Sequence, residues 1–205
     1  MRILCLTVPE LDNSMRMNKI KRRIPNCEFV FGQTKHSLND EFNIKNNDFN
    51  EGYGNTVWDD RDLAVAYGHY CMWKKVIEYK EICLLLEDDV ILKRMNIFEI
   101  DAIENENTYS NNIIITLFQE GIRFKQEYDC NYYKVNKSYG NNGAVAYIIY
   151  PSTAKFLVDN FNRIRCPVDH YILGVDFCND DKYLVLCSKS KYVLHDYKSP
   201  SLRQS

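Results

Sequence analysis

The sequence predicts an α/β fold, a mixed sheet with helices covering both faces. Short apolar runs of strand length alternate along the chain with amphipathic runs of helix length. Two of the strand runs, Ile82–Leu86 and Ile113–Phe118, are continuous and rich in Leu and Ile, as strands buried on both faces are. The first of them ends directly in Glu87, Asp88 and Asp89. That is how a central strand reads where it emerges at the carboxyl edge of an open sheet, the edge at which such folds bind ligands.

The elements follow in order. Arg2–Val8 reads as a first strand and Ser14–Arg23 as a helix, with Asn13 placed to cap it. The basic cluster Lys19 to Arg23 is then the polar face and end of that helix. Glu28–Phe31 is a short strand. From His36 to Asp60 the chain is polar, rich in Asn, Asp and Gly, and without clear periodicity, and a loop this long in a compact domain is usually functional or mobile. Asp62 to Tyr79 is the strongest helix, because Leu63, Ala66, Tyr70, Trp73, Val76 and Ile77 form an apolar stripe at helical spacing. Val90–Leu92 resumes the extended pattern after the carboxylates, and Ile97–Asn105 reads as a helix of weak periodicity. Tyr132–Val135 and Val145–Tyr150 are strands, the second preceded by the turn-forming Tyr139-Gly140-Asn141-Asn142-Gly143. Ser152–Phe161 is a helix starting after Pro151, and Asp169–Leu173 is a short helix entered through Pro167. Tyr183–Leu186 and Tyr192–Leu194 close the pattern.

At 205 residues the chain fits one domain, 1–205, which a longer polypeptide could contain. Its 45% hydrophobic and 26% charged residues exclude the disordered and collagen-like classes. A net charge of −2 with scattered basic residues argues against nucleic-acid binding. No apolar run reaches the roughly 18 residues of a transmembrane helix, and the opening run, Ile3 to Val8, is too short for a secretory signal. A cytoplasmic chain is the expectation. The eight cysteines contain no CxxC pair, which speaks against a zinc site, and Cys5, Cys83 and Cys187 sit in apolar runs as buried thiols would. The Asn136-Lys137-Ser138 sequon has no secretion signal to accompany it.

The acidic triplet carries the chemistry. Three adjacent carboxylates at the end of a buried strand repel one another, and desolvation raises their pKa values further. A bound divalent cation relieves both costs, and oxygen ligands suit Mg²⁺ or Mn²⁺. In an extended segment Glu87 and Asp89 point to one side and Asp88 to the other. One side can face a metal and its phosphates while Asp88 holds a loop or a sugar hydroxyl. A solvated acidic turn remains the alternative, and the spacing alone also fits metal-dependent nucleases and nucleotidyltransferases.

Gly68-His69, Trp73 and the run Leu86-Glu87-Asp88-Asp89-Val90 together resemble glycosyltransferase family 25, the lipopolysaccharide-modifying and collagen galactosyltransferase-like enzymes. Further pieces match in the family's order: Asn13 to Arg16 after the first strand, Gly143-Ala144-Val145-Ala146-Tyr147-Ile148-Ile149 with Ala154 in the next helix, and Pro167-Val168-Asp169. Pro200 to Ser205 is a weaker echo of the family's tail. Tyr67 and Gly68 stand where the family usually has an acidic residue and Ser, and the chain is short for the family. These departures bear mainly on acceptor specificity.

The resemblance implies a GT-A-type fold, a UDP-sugar donor, a glycan acceptor, Mn²⁺ (or Mg²⁺) held by a DXD-type acidic motif, and inversion at the anomeric carbon. Asp89 is then the first metal ligand and Glu87 the second, with Asp88 near ribose or sugar. His195, beside Asp196, is a further ligand on the pattern of GT-A enzymes that close the site with a late His, although a His after a strand is often structural. Asp169 is the general base on the acceptor hydroxyl, with His170 the second choice, and a plain helix N-cap is the other reading of Asp169. Thr7 and Arg16 are nucleotide contacts, Arg16 through pyrophosphate unless it is only a surface helix charge. Gly143 ends a turn that lets backbone approach the donor sugar, or else a plain hairpin turn. Trp73 reads as core, and His69 as a satisfied buried His or a support for the acidic loop. Tyr53, Tyr128, Tyr132, Tyr133 and Tyr139 lie in or near loops and could stack on sugar rings or pack a rim.

Two other functions compete. A sugar nucleotidyltransferase would want a glycine-rich phosphate loop after the first strand, where this chain has Pro9-Glu10-Leu11-Asp12. A non-catalytic carbohydrate- or nucleotide-binding module of the same fold would have no need of Glu87, Asp88, Asp89 and Asp169 together.

Overall fold

A computed structural model gives the architecture and describes residues 1–8, 14–33, 60–93, 113–136, 141–161, 167–173 and 184–196. Several expectations lie outside these residues: the Asn13 cap, the 97–105 helix, the 36–59 loop, Tyr53, Tyr139, Gly140 and the 200–205 tail.

The chain begins with β1 (Arg2–Thr7), α1 (Ser14–Arg23) and β2 (Glu28–Phe31). The long helix α2 (Asp60–Tyr79) leads into β3 (Cys83–Glu87) and β4 (Val90–Leu92). Next come β5 (Ile113–Thr116), a 3₁₀ turn at Gln119–Gly121, β6 (Lys125–Glu127), β7 (Tyr132–Val135) and β8 (Ala146–Ile149). Helices α3 (Pro151–Asn160) and α4 (Val168–Ile172) precede β9 (Leu184–Ser188) and β10 (Val193–His195). Pro151 is the first residue of α3 rather than its predecessor, where its missing N–H and fixed φ cost nothing.

The main sheet has eight strands in the order β2-β1-β3-β8-β5-β9-β7-β6, and β10 pairs antiparallel with β4 in a second, small sheet. Within the main sheet β8 and β7 run against the other strands. This mixed, mostly parallel sheet flanked by helices is the GT-A-type architecture that the family resemblance implies.

Strand alternation divides the core into two layers. Leu4, Leu6, Leu85, Tyr147 and Ile149 face α2, α3 and α4, where Trp73, Val76, Leu157 and Tyr171 are buried against them. Ile3, Cys5, Leu84, Leu86, Ala146 and Ile148 face the other way, onto Ile20 of α1, the neighbouring Ile24, and the small-sheet residues Val90, Leu92 and Val193. Burying each such large apolar side chain stabilises the fold by about 1.5–3 kcal/mol. Gly68 lets α2 lie close on the sheet, since a Cβ there would meet Leu6 Cδ1 at 2.7 Å. The basic end of α1 faces the small sheet, and the Arg23 guanidinium donates to the Leu92 carbonyl. Cys5, Cys83 and Cys187 are buried free thiols, and Cys130 is exposed. Among the described residues no helix is long and apolar enough to cross a membrane.

The topology fixes where a ligand can bind. The chain leaves β1 through α1 and returns as β2 on one side of it, while β3 lies on the other side. This reversal opens a crevice at the carboxyl ends of β1 and β3, where side chains of different segments converge.

Candidate active site

The acidic triplet stands at that crevice. Glu87 ends β3, paired in register with Leu6 of β1, and its N–H donates to the Val145 carbonyl at 2.9 Å. Asp88 and Asp89 form the turn into β4. Register pairing of His195 with Val90 brings the end of β10 beside this turn, and the Asp196 N–H donates to the Asp89 carbonyl at 2.8 Å. Sequence alternation puts Asp88 on its own side, and so does the structure. Its carboxylate accepts from the Thr7 hydroxyl at 2.7 Å and pairs with the Arg16 guanidinium at 2.8 Å, both members of that pair being largely buried. Thr7 and Arg16, both expected beside a nucleotide, are thus gathered by Asp88.

On the other side, ligand atoms of Glu87, Asp89 and His195 all lie within 4.8 Å of one another. His195 Nε2 is 3.0 Å from Asp89 Oδ2. The other Asp89 oxygen, Oδ1, is buried and has no hydrogen-bond partner among the described residues. An orphaned buried carboxylate oxygen is costly, and a cation is the natural partner for it. Two carboxylates and one imidazole form a donor set compatible with a divalent metal.

The electrostatics agree with that donor set. Burial, reinforced by the charges of Asp89 and Asp169, pushes the Glu87 carboxyl well above its ordinary value. Desolvation raises Asp88 as well, against the opposing hydrogen bond from Thr7 and the charge of Arg16. His195 is raised chiefly by its hydrogen bond to Asp89. The site therefore concentrates negative charge that desolvation penalises, the situation a divalent cation reverses.

Behind Glu87 lies a buried polar chain. His69, wholly buried on α2, has Nε2 3.1 Å from Glu87 Oε1 and Nδ1 2.8 Å from the Tyr147 hydroxyl on β8. The Trp73 indole N–H donates to the same hydroxyl at 2.8 Å. Burial lowers the His69 pKa to about 4. Trp73 is core, as its place in the stripe predicts, and His69 supports the acidic loop while also being satisfied. The part of Tyr147 was not assigned from sequence, although it stands in the Gly143-to-Ile149 segment that carries the family resemblance.

Asp169 faces this cluster from α4, and its charge is felt at Glu87, His69, Tyr147 and His195. It does not cap the helix. Pro167 holds the N-cap position without a side-chain bond. Asp169 Oδ1 instead accepts from the Gly143 and Ala144 N–H groups at 2.9 and 2.8 Å, tying α4 to the turn before β8. At Gly143 a Cβ would sit 2.8 Å from Leu173 Cδ2, so a larger residue there would push the Leu173 side chain aside. His170 stands beside Asp169 on α4, half-buried. Of the tyrosines, Tyr128 is exposed, Tyr132 is buried and Tyr133 is partly buried, away from the acidic turn on the β6–β7 side of the sheet.

Comparison with solved structures finds several of low identity. A197 from STIV is 12% identical, with 98% of this chain and 97% of that one covered and a TM-score of 0.42. A putative glucose-1-phosphate thymidylyltransferase from Bacillus anthracis, solved with a sucrose, is 9% identical over 95% of this chain and 89% of that one, with a TM-score of 0.48. The 4-diphosphocytidyl-2C-methyl-D-erythritol synthase from Anaerococcus prevotii is 14% identical over 96% and 91%, with a TM-score of 0.44. No curated protein matches the sequence. The family model described as glycosyltransferase family 25 (LPS biosynthesis protein) matches residues 8–172, a span that holds Arg16, His69, the acidic triplet, Tyr147 and Asp169. Because that match covers most of the chain and these residues converge on one crevice, the protein belongs to glycosyltransferase family 25.

Proposed function

We propose that this glycosyltransferase moves a sugar from a UDP-sugar to a glycan hydroxyl, with inversion, using Mn²⁺ (or Mg²⁺) held by Asp89, Glu87 and His195. The observation that carries the reading is the convergence of those three residues, with Asp89 Oδ1 unpartnered among the described residues, opposite Asp169 at the carboxyl ends of β1 and β3. The cation supplies charge neutralisation for the diphosphate leaving group. The chain's own residues do the rest. Thr7, Arg16 and Asp88 form the nucleotide side of the crevice, with Asp88 placed for a ribose or sugar hydroxyl. Gly143 belongs to the sugar side, where the N–H groups of its turn hold Asp169 of α4.

Asp169 is the general base. Its Oδ1 is engaged by two backbone N–H groups, which leaves Oδ2 to take the acceptor's proton. The acceptor oxygen then bonds to the anomeric carbon as the bond from that carbon to the diphosphate oxygen breaks, and UDP leaves with that electron pair. Attack opposite the leaving group inverts the anomeric centre. A single domain acting in the cytoplasm accords with this reading.

Calorimetric titration of the full chain with UDP, with and without Mn²⁺, tests the proposal. Micromolar binding that requires the metal is expected, followed by discrimination within a panel of UDP-sugars. Absence of binding in both conditions overturns the UDP-sugar reading.

A further inference from the structure

We propose that His69 and Tyr147 are positioning residues for the metal site: Tyr147, held by Trp73, fixes the His69 tautomer, and His69 in turn fixes the Glu87 carboxylate. The inference rests on the metal-site reading above and deepens it.

As a metal ligand Glu87 is ionised and can only accept, which sets the direction of the chain. An indole N–H only donates, so the Tyr147 oxygen accepts from Trp73. The one hydroxyl hydrogen of Tyr147 is then available to His69 Nδ1, 2.8 Å away. With Nδ1 accepting, the ring hydrogen lies on Nε2 and points to Glu87 Oε1 at 3.1 Å. Every donor in the sequence has one acceptor, and the polarity runs from Trp73 to Glu87 without a break. Glu87 Oε1 is engaged from behind by His69, while the Glu87 carboxylate stands in the cluster with Asp89 and His195.

A purely structural role accounts poorly for the arrangement. Trp73, Tyr147 and His69 are wholly buried, in a layer otherwise filled by aliphatic and aromatic packing. Apolar residues of similar size would fill the same space without three polar groups to satisfy. The chain draws on α2 and β8 and ends on Glu87 of β3, the one member that reaches the crevice. Partners of this kind behind a metal ligand fix its orientation and basicity.

The test compares His69→Leu, His69→Gln and Tyr147→Phe with the wild type. Mn²⁺ affinity is read by calorimetry and by the Mn²⁺ electron paramagnetic resonance signal in the presence of UDP, and folding by near-ultraviolet circular dichroism. His69→Leu is expected to weaken Mn²⁺ binding roughly 10–100-fold. His69→Gln, whose amide N–H can stand in for Nε2–H, is expected to recover most of that loss, and Tyr147→Phe to lose part of it. The proposal is overturned if folded His69→Leu binds Mn²⁺ as the wild type does, or if the Gln variant loses as much as the Leu variant. Should His69→Leu not fold, Tyr147→Phe decides, and wild-type affinity there overturns the proposal. If the wild type itself binds UDP without any need for metal, the metal-site reading fails first and takes this inference with it.

Discussion

At Asp169 one bonding pattern removes the capping role that the sequence left open beside the proposed base. A capping carboxylate would accept from N–H groups of its own helix. This one accepts from Gly143 and Ala144, on the turn before β8. Asn at this position keeps an oxygen for those two N–H groups, so Asp169→Asn should leave the local structure intact while removing the proposed base. The expected result is a turnover lower by roughly 10²–10⁴-fold with Mn²⁺-dependent UDP binding unchanged. Steady-state rates and calorimetry on the same preparation check both halves, and unchanged turnover would remove Asp169 from the mechanism. Asp88 shows the complementary case. Strand alternation sets it apart from Glu87 and Asp89 in the sequence, and the fold uses that separation to gather Thr7 and Arg16 around Asp88.

Among the elements, those with a strong apolar period were legible. α1, β2, β4 and β7 have the bounds that the pattern predicts, β1, α2 and β5 differ from it by one or two residues at one end, and β3, β8, α3, α4, β9 and β10 by one or two residues at both ends. Strand β6 was not legible, because Lys125, Gln126 and Glu127 form an edge with no apolar face, and only their pairing with Tyr133 to Val135 makes them a strand. Gly68 shows what a helical period conceals. Glycine in the middle of α2 reads as a defect, since it costs about 1 kcal/mol against Ala. The contact with Leu6 explains it: the helix lies so close on β1 that a Cβ would press on the Leu6 methyls. Replacing it should therefore destabilise in order of size. Gly68→Ala should be mild, because improved helix propensity offsets part of the clash. Gly68→Val should cost about 1–3 kcal/mol, as overpacking of a core does. Urea unfolding at constant slope measures both, and a Val variant with the wild-type midpoint would contradict the packing argument.

On the scale of the whole molecule, the position of the site was legible, and of its internal wiring only the support that His69 gives the acidic loop. A buried strand ending in carboxylates marks the sheet edge from sequence alone. The meeting of His69, Tyr147 and Glu87 requires α2, β8 and β3 to be stacked first, and no spacing in the chain encodes it. The same convergence couples stability to pH with opposite signs. His69 is lowered from 6.5 to about 4 by burial, so its neutral form favours the fold above 6.5, and that contribution is lost as pH falls toward 4. Glu87 is raised above 4.5, so the folded state binds more protons than the unfolded one there, and stability falls as pH rises above that value. His195, raised above 6.5, acts in the same direction: its contribution is present below 6.5 and is lost as pH rises through its folded value. The metal-free protein is thus weakened on the alkaline side by the groups that would bind a cation. Those groups must release protons to do so, which makes binding weak in acid. Mn²⁺ at about a hundred times its dissociation constant should raise the melting temperature by roughly 5–10 °C at about pH 8. At about pH 5 the same concentration should raise it far less, because Glu87 and His195 retain their protons. Thermal unfolding at the two pH values decides the matter, and equal shifts at both would mean that the cation binds somewhere other than Glu87, Asp89 and His195.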